Sequence, residues 1–169
     1  ERVRVDSDGL KVLDKVLHFG DTDTAIRFPE ADTITAETGG SERVRIASDG
    51  KIGINTATPD CKLHVVKNVA GTMSADGNAV LALENNTHCV LNMMTPADKS
   101  AYIMFGDPDD NNAGQIRYDN NIDALQFEVN GSERVRITST GLVGIGTDTP
   151  FNPLEVVGSS PDIMVYDTD

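Results

Sequence analysis

The residues of this chain best suited to proton transfer or metal binding include three histidines, His18, His64 and His88. They lie at unrelated places in a sequence that otherwise repeats itself, and His64 stands where the later copy of the repeat has Glu155. A site shared by the copies would need the same ligand type in each of them. We therefore predict surface or strand-lining roles for the histidines and no catalytic residue.

Cys61 and Cys89 carry the two thiols of the sequence. Neither cysteine belongs to a Cys-x-x-Cys pair or has histidine-rich neighbours, so the sequence predicts neither a disulfide nor a zinc framework. Two free thiols fit assembly in a reducing cytoplasm. We expect no metal site and no cofactor.

Three stretches superficially resemble ligand-binding loops. Asp6–Gly9 and Asp107–Asn112 are rich in the residue types of calcium loops, but the twelve-residue spacing with a terminal Glu is missing. Gly141–Thr147 has the glycines of a phosphate loop without the Gly-Lys-Ser/Thr ending or a following helix. The patterns predict two polar turns and a strand that contains glycine.

Acidic residues dominate the charge of the chain. The sequence has 27 acidic and 14 basic residues and a net charge of −13, which disfavours nucleic-acid binding because phosphate contacts need clustered Lys and Arg. No run of about 18 apolar residues predicts a membrane span. Carboxylates are numerous enough for two of them to meet across a chain interface and cleave a glycan, so that alternative stays open.

A long internal repeat organises the sequence. The phrase Gly40–Ile46, with the sequence Gly-Ser-Glu-Arg-Val-Arg-Ile, returns as Gly131–Ile137, and a shortened copy opens the chain at Glu1–Val5. Self-similarity of this kind is typical of a modular, elongated architecture rather than of one enzyme pocket.

The repeat divides the chain into four segments. We predict a partial repeat at 1–18, a first hairpin module at 19–70, a second and longer module at 71–158 and the start of a further module at 159–169. Residues Val80–Gln115 are expected to be specific to the second module.

Alternation of apolar and polar residues predicts strands throughout. Leu125–Val129 places Leu, Phe and Val on one face, and Arg134–Ile137 places Val and Ile on one face. Helical periodicity is nearly absent: the best candidate, Ser74–Glu84, contains Gly and Asn and is predicted to be a turn that leads into a strand. The expected fold class is all-β.

Strand register predicts the loop of the second hairpin. A three-residue loop at Asn130–Ser132 sets Phe127 opposite Val135, whereas a two-residue loop would set Phe127 opposite Arg134. The longer loop also pairs Glu128 with Arg134.

The first hairpin supports the same register with different residues. A loop at Gly39–Ser41 sets Ala36 opposite Val44 and Glu37 opposite Arg43. The repeated Glu-Arg-Val-Arg phrase is thus interpreted as the second strand of a hairpin. An exposed Glu–Arg pair contributes only about 0.2–1 kcal/mol, so the apolar stripe is expected to provide most of the stability.

Two glycine-containing strands are predicted at Ile52–Ile54 and Val143–Gly146. Glycine on one face of a strand usually marks a second backbone close by, which fits a tightly wound shaft of several chains. The chain is only 5% aromatic and has no Trp, so a monomeric core would be thin and we expect burial between chains.

The combined phrase of Asn130–Ile137, Gly141–Thr147, Pro150 and Leu154–Val156 resembles the repeats of bacteriophage tail fibres. Many such fibres carry Asn-Gly-Ser-Glu-Arg-Met-Arg-Ile, a turn, Gly-Asn-Val-Gly-Ile-Gly-Thr, then Pro and Lys-Leu-His-Val. Lys62–Val65 supplies the last element literally.

The resemblance implies a β-rich homotrimeric shaft or body segment of a virion fibre, often placed before a receptor-binding tip or an endosialidase-type self-cleaving chaperone domain. This sequence departs from the pattern at Val12–Val16, which replaces the Gly-Ile-Gly strand. Host specificity is not carried over, because neither a tip nor a chaperone domain is recognisable in the sequence.

We accordingly expect an elongated, all-β repeat of hairpins and meanders that forms an intertwined homotrimer. The function expected is that of a non-enzymatic structural segment of a virion tail fibre, assembled in the bacterial host cytoplasm, that supports host-cell attachment. Its partners would be itself, neighbouring tail or baseplate proteins and a host surface glycan, without nucleic acid or membrane insertion.

Two alternatives remain. The first is a glycan-binding or polysaccharide-degrading tailspike body, with loops around residues 85–100 and 107–114 as its distinctive surface. The second is a bacterial trimeric surface adhesin, which the absence of coiled-coil heptads disfavours.

Overall fold

The computed structural model describes residues 3–7 and 9–159. These residues form strands and turns and no helix, so the predicted all-β class is confirmed. The strands are short because Gly, Pro, Asn and Asp turn residues repeatedly interrupt the apolar alternation. In chain order they are β1 (Val3–Asp6), β2 (Gly9–Val12), β3 (Lys15–Leu17), β4 (Ala25–Arg27), β5 (Ile34–Thr38), β6 (Ser41–Ile46), β7 (Ile52–Ile54), β8 (Leu63–Val66), β9 (Leu81–Glu84), β10 (Ser100–Phe105), β11 (Gly114–Asp119), β12 (Ala124–Val129), β13 (Ser132–Ile137), β14 (Val143–Ile145) and β15 (Leu154–Val156).

The strands form three sheets, and within each sheet every strand pairs with its neighbours in the sequence. β1 and β2 form a two-stranded sheet, β3 to β9 form a seven-stranded sheet, and β10 to β15 form a six-stranded sheet. Most pairs are antiparallel, whereas β7 with β8, β8 with β9 and β14 with β15 are parallel. Both large sheets are therefore mixed.

The chain divides into two compact units, Glu1–Leu91 with β1 to β9 and Asn92–Asp169 with β10 to β15. The boundaries predicted after residues 18, 70 and 158 concern sequence modules and stay predictions. The start of a further module, predicted at 159–169, lies outside the described residues except for residue 159.

The hairpin of β12 and β13 confirms the predicted apolar pairing and corrects its loop. Leu125 lies opposite Ile137 and Phe127 opposite Val135, as expected. The loop, however, contains two residues: Asn130 and Gly131 have φ values of 52° and 66°. Positive φ at both central positions matches the twist of a tight hairpin.

A β-bulge reconciles the short loop with the apolar pairing. The register shifts between Phe127 and Glu128, so Glu128 lies opposite Glu133 rather than opposite Arg134. The bulge accommodates one extra residue on β13 and returns Val135 to the apolar face.

The hairpin of β5 and β6 has the same bulge. Ala36 lies opposite Val44, as predicted, but Glu37 lies opposite Glu42 and not Arg43. Two different loop sequences thus produce one register.

The six-stranded sheet corresponds strand by strand to β3 through β8. β10 (Ser100–Phe105) is the first strand of its sheet, as β3 is of the seven-stranded sheet. Residues Val80–Gln115 were expected to be specific to the second module, but β10, which lies within them, has this counterpart in the first. β9 is the additional strand of the seven-stranded sheet. It follows a turn-rich stretch without a helix, as predicted for Ser74–Glu84.

The predicted close approach at the glycine strands occurs within the chain itself. A Cβ on Gly53 would lie 2.3 Å from the carbonyl oxygen of Thr56, and a Cβ on Gly144 would lie 2.4 Å from that of Thr147. The chain's own turn is therefore sufficient to require glycine at both positions.

Candidate functional site

One face of the seven-stranded sheet consists almost entirely of apolar side chains. The strand register aligns them in two cross-strand rows, and we call this surface the first apolar face. One row is Val16, Ile26, Ala36, Val44, Ile54, Val65 and Leu83, and the other is Ile34, Ile46, Ile52, Leu63 and Leu81.

The first apolar face is left uncovered by its own chain. Val44, Ile46 and Ile52 at its centre remain 37–41% exposed. On the opposite face, by contrast, Thr35 is 1% and His64 is 6% exposed. This distribution inverts the usual arrangement, in which a sheet buries its apolar side and presents its polar side to water.

The six-stranded sheet has the same inversion. Its second apolar face keeps Phe127, Ile137 and Ile145 37–40% exposed, whereas Gln126 on the polar side is 3% exposed. The two rows of this face are Ile103, Ile116, Phe127, Val135, Ile145 and Val156, and Ala101, Tyr118, Leu125, Ile137, Val143 and Leu154.

Each apolar face is large enough to serve as an interface. With roughly 70 Å² exposed on each of its large side chains, the first apolar face offers on the order of 600 Å², close to the ~800 Å² that each partner contributes to a standard protein interface. A contiguous apolar patch of this size is at the upper end of what a folded single chain usually exposes, and such patches are often functional.

Arginine–carboxylate pairs organise the polar face of each sheet. The Arg45 guanidinium donates two hydrogen bonds of 2.8 Å to Glu42 and one of 3.0 Å to Glu30. Arg136 donates two of 2.7 Å to Glu133. These bonds raise the pKa of both guanidinium groups, chiefly through the glutamate three residues earlier.

These contacts correct the predicted ion pairs. Glu37 was expected to pair with Arg43, but it accepts a hydrogen bond of 3.1 Å from Arg27. The expected Glu128–Arg134 pair is likewise replaced by a Glu128–Arg117 contact of 3.6 Å. The bulge moves the glutamate of the repeated phrase to the polar face, where it meets the second arginine of the phrase and not the first.

His64 is the one histidine that the fold buries in a polar network. Its Nε2 lies 3.1 Å from Glu84 Oε2, and its Nδ1 accepts a hydrogen bond of 3.4 Å from the Asp60 amide. In the six-stranded sheet Glu155 accepts the corresponding bond, of 2.7 Å, from the Phe151 amide. The His64 ring thus has a structural contact at each nitrogen, which supports the strand-lining role predicted for it.

Glu84 extends this network to the stretch that precedes β9. Its Oε1 accepts a hydrogen bond of 2.5 Å from the Ala70 amide, and Asp60 accepts one of 3.2 Å from the Ala75 amide. A cavity of about 180 Å³ lies among these side chains. Sequence reasoning missed the network, because it depends on the parallel pairing of β8 with β9, and the connection between these strands lacks the helix that usually signals such a pair.

The remaining histidines and the cysteines lie elsewhere. His18 is exposed, 4.0 Å from Asp21, and His88 and Cys89 line a different cavity of about 280 Å³. Cys61 is buried, Cys89 is exposed, and both are free thiols. Within residues 3–7 and 9–159, no group of three His, Cys, Asp or Glu side chains is placed to hold a metal ion.

The stretches that resembled ligand loops have local structural roles. Asp107 accepts hydrogen bonds of 2.9 Å from the Asp109 and Asp110 amides, which fixes a turn as predicted. Gly144 lies in β14, so the supposed phosphate loop is a strand. The Asp6–Gly9 turn includes a residue outside the described part of the chain.

Hydrogen bonds from asparagine side chains fix the loop around residues 85–100, which the tailspike alternative assigns to the distinctive surface. Asn85 donates hydrogen bonds to Thr87 Oγ1 and to the His88 carbonyl oxygen, and Asn120 donates to Thr95 Oγ1.

The part of the chain that the structure describes contains no helix long and apolar enough to cross a membrane. Comparison with known proteins found no family model and no curated protein that matches the chain.

Proposed function

We propose that this chain is a structural segment of a bacteriophage tail fibre that assembles as a homotrimer through its two apolar faces. The observation that carries the proposal is the uncovered state of both faces: each sheet packs its polar side within the chain and leaves Val, Ile, Leu and Phe side chains exposed. The resemblance of the repeated phrase to tail-fibre repeats supports the same function.

A closed trimer would cover the two apolar faces that the single chain leaves exposed. Three copies around an axis can turn their apolar faces towards one another, and closed symmetry prevents open-ended growth. The outer strands of the sheets also gain neighbours, which protects exposed strand edges from non-specific pairing. The net charge of −13 would then be distributed over the outer, polar surface and keep the fibre soluble.

The proposed mechanism is mechanical. The segment would hold a host-recognising tip away from the virion and transmit the force of attachment to neighbouring tail or baseplate proteins. Its location would be the virion tail, after assembly in the cytoplasm of the bacterial host. Its polar networks would stiffen each sheet, since bidentate Arg–carboxylate contacts fix geometry better than single contacts.

Immunogold electron microscopy tests this placement. Antibodies raised against the chain and applied to virions that encode it should label the tail fibres. Labelling confined to the capsid, or to host debris with virions unlabelled, would contradict the proposal. Antibody that was first absorbed with the purified chain is the control.

A further inference from the structure

The first apolar face has a hollow at one end. It lies across β3, β4 and β5, has a volume of about 340 Å³, and includes Val16, Ile26 and Ala36 in its lining. Because an apolar cavity of ~150 Å³ can bind benzene, this hollow has room for a phenyl ring.

The second sheet carries aromatic side chains at the corresponding positions of its apolar face. Phe127 occupies the place of Ala36, since each lies opposite the valine of the repeated phrase. Phe105 lies opposite Gly114, whereas the corresponding place in the first sheet is held by His18, whose amide donates to the Thr24 carbonyl oxygen. The first sheet therefore has Ala36 and His18 where the second sheet has two phenylalanines.

An unpacked aromatic side chain stands beside the hollow. Phe19 is 99% exposed and directly follows His18, which also lines the hollow. The amide of Asp21 donates a hydrogen bond of 3.2 Å to the His18 carbonyl oxygen and closes the turn that carries the ring. A phenylalanine in this state leaves nearly all of its apolar surface in water.

We propose that Phe19 of one copy of this chain inserts into the Ala36 hollow of the neighbouring copy, a contact that rests on the proposed homotrimer. Rotation about the axis of a cyclic trimer leaves the position of every residue along that axis unchanged. The hollow of one copy therefore faces side chains of the next copy that lie at the same level along the axis. Phe19 is at that level because it adjoins the hollow in sequence. The contact extends the first apolar face, whose ~600 Å² approaches that of a standard interface.

A disulfide between copies tests the contact. Phe19→Cys and Ala36→Cys are combined in a chain in which the exposed Cys89 is replaced by Ala, and the purified protein is oxidised with diamide. Non-reducing electrophoresis should show covalent dimers and trimers that dithiothreitol removes. The control combines Ala36→Cys with Leu13→Cys, because Leu13 is also 74% exposed but precedes β3, whereas Phe19 follows it, and it should give mainly uncross-linked chains.

The outcomes separate this contact from the trimer itself. Trimers by light scattering without a disulfide between copies, or with a disulfide within one chain, would overturn the Phe19 contact and leave the trimer intact. A folded monomer would overturn both. Should the cysteine variants misfold, Phe19→Ala should weaken trimer association at least tenfold, whereas Leu13→Ala should change it less than twofold; equal effects would overturn the contact.

Discussion

At the scale of single residues, the structure explains why glycine interrupts two otherwise apolar strands. Gly53→Ala would place a Cβ 2.3 Å from the Thr56 carbonyl oxygen, so the turn after β7 must shift. We expect a loss of roughly 1–3 kcal/mol in the free energy of unfolding, the usual cost of inserting atoms into a packed site. Urea denaturation followed by circular dichroism measures it.

Gly77→Ala is the matched control for that variant. No atom lies within 4 Å of the position where its Cβ would be, so its unfolding free energy should stay within about 0.5 kcal/mol of that of the unchanged chain. Equal losses in the two variants would show that the close approach at Gly53 does not exist.

A second residue-scale prediction concerns Asp21. The Asp23 amide donates a hydrogen bond to its carboxylate, with Thr24 as the next contributor, and lowers the pKa of Asp21 to about 2 from a usual 3.8. Because the folded-state pKa is depressed, the associated stability is present above pH ~3.8 and is lost as the pH falls through about 2. Titration of the Asp21 carboxyl carbon by NMR should show a midpoint of about 2; a midpoint near 3.8 would contradict the bond.

At the scale of elements, the bulged hairpin determines which arginine of the repeated phrase contributes to the free energy of unfolding. Arg136 binds Glu133 on the half-buried polar face, whereas Arg134 is exposed on the same strand. Arg136→Ala should therefore lower the unfolding free energy by about 1–3 kcal/mol, because it removes two charge-assisted hydrogen bonds and leaves the partly buried Glu133 carboxylate with only the bond from Gln126.

The neighbouring variant Arg134→Ala should change the unfolding free energy by less than about 0.5 kcal/mol. Chemical denaturation of both variants measures the two changes in unfolding free energy. The opposite ranking would restore the Glu128–Arg134 pairing that simple strand alternation predicts and would contradict the bulge.

This hairpin also shows how far sequence determines the fold. The apolar alternation was sufficient to pair Phe127 with Val135 and Ala36 with Val44. It could not determine the loop, because a three-residue loop and a two-residue turn followed by a bulge give the same apolar pairs. They differ only at Glu128 and Glu37, where the sequence offered a plausible but wrong arginine.

The parallel pairing of β8 with β9 was beyond sequence reasoning for a different reason. The strand at Leu81–Glu84 could be predicted from its apolar run, but its neighbour could not, since no helix or tight turn connects it to β8. The His64–Glu84 contact of 3.1 Å depends on this pairing. The sequence therefore indicated the role of His64 but not its partner.

At the scale of the whole molecule, the central feature is the reversal of polarity in both large sheets. Among the described residues, the buried side chains include Thr35, His64 and Gln126 on the polar faces, beside apolar ones such as Ala25 and Ala124. The apolar faces need a second surface, and the proposed homotrimer provides it.

Ile46→Glu on the first face should abolish association, because a buried, unpaired carboxylate costs several kcal/mol at each of three interfaces.

Arg43→Glu is the control for that variant, since it introduces the same side chain at an exposed position of the same strand. It should remain associated. Sedimentation velocity at matched concentrations distinguishes the two variants, and dissociation of both would attribute the effect to added charge and not to the apolar face.

The most direct test of the central claim is the mass of the purified chain in solution. Multi-angle light scattering behind size-exclusion chromatography, over a hundredfold range of concentration, should give three times the 18.1 kDa of one chain. A folded species that remains at the mass of one chain across that range, with both apolar faces in water, would contradict the account.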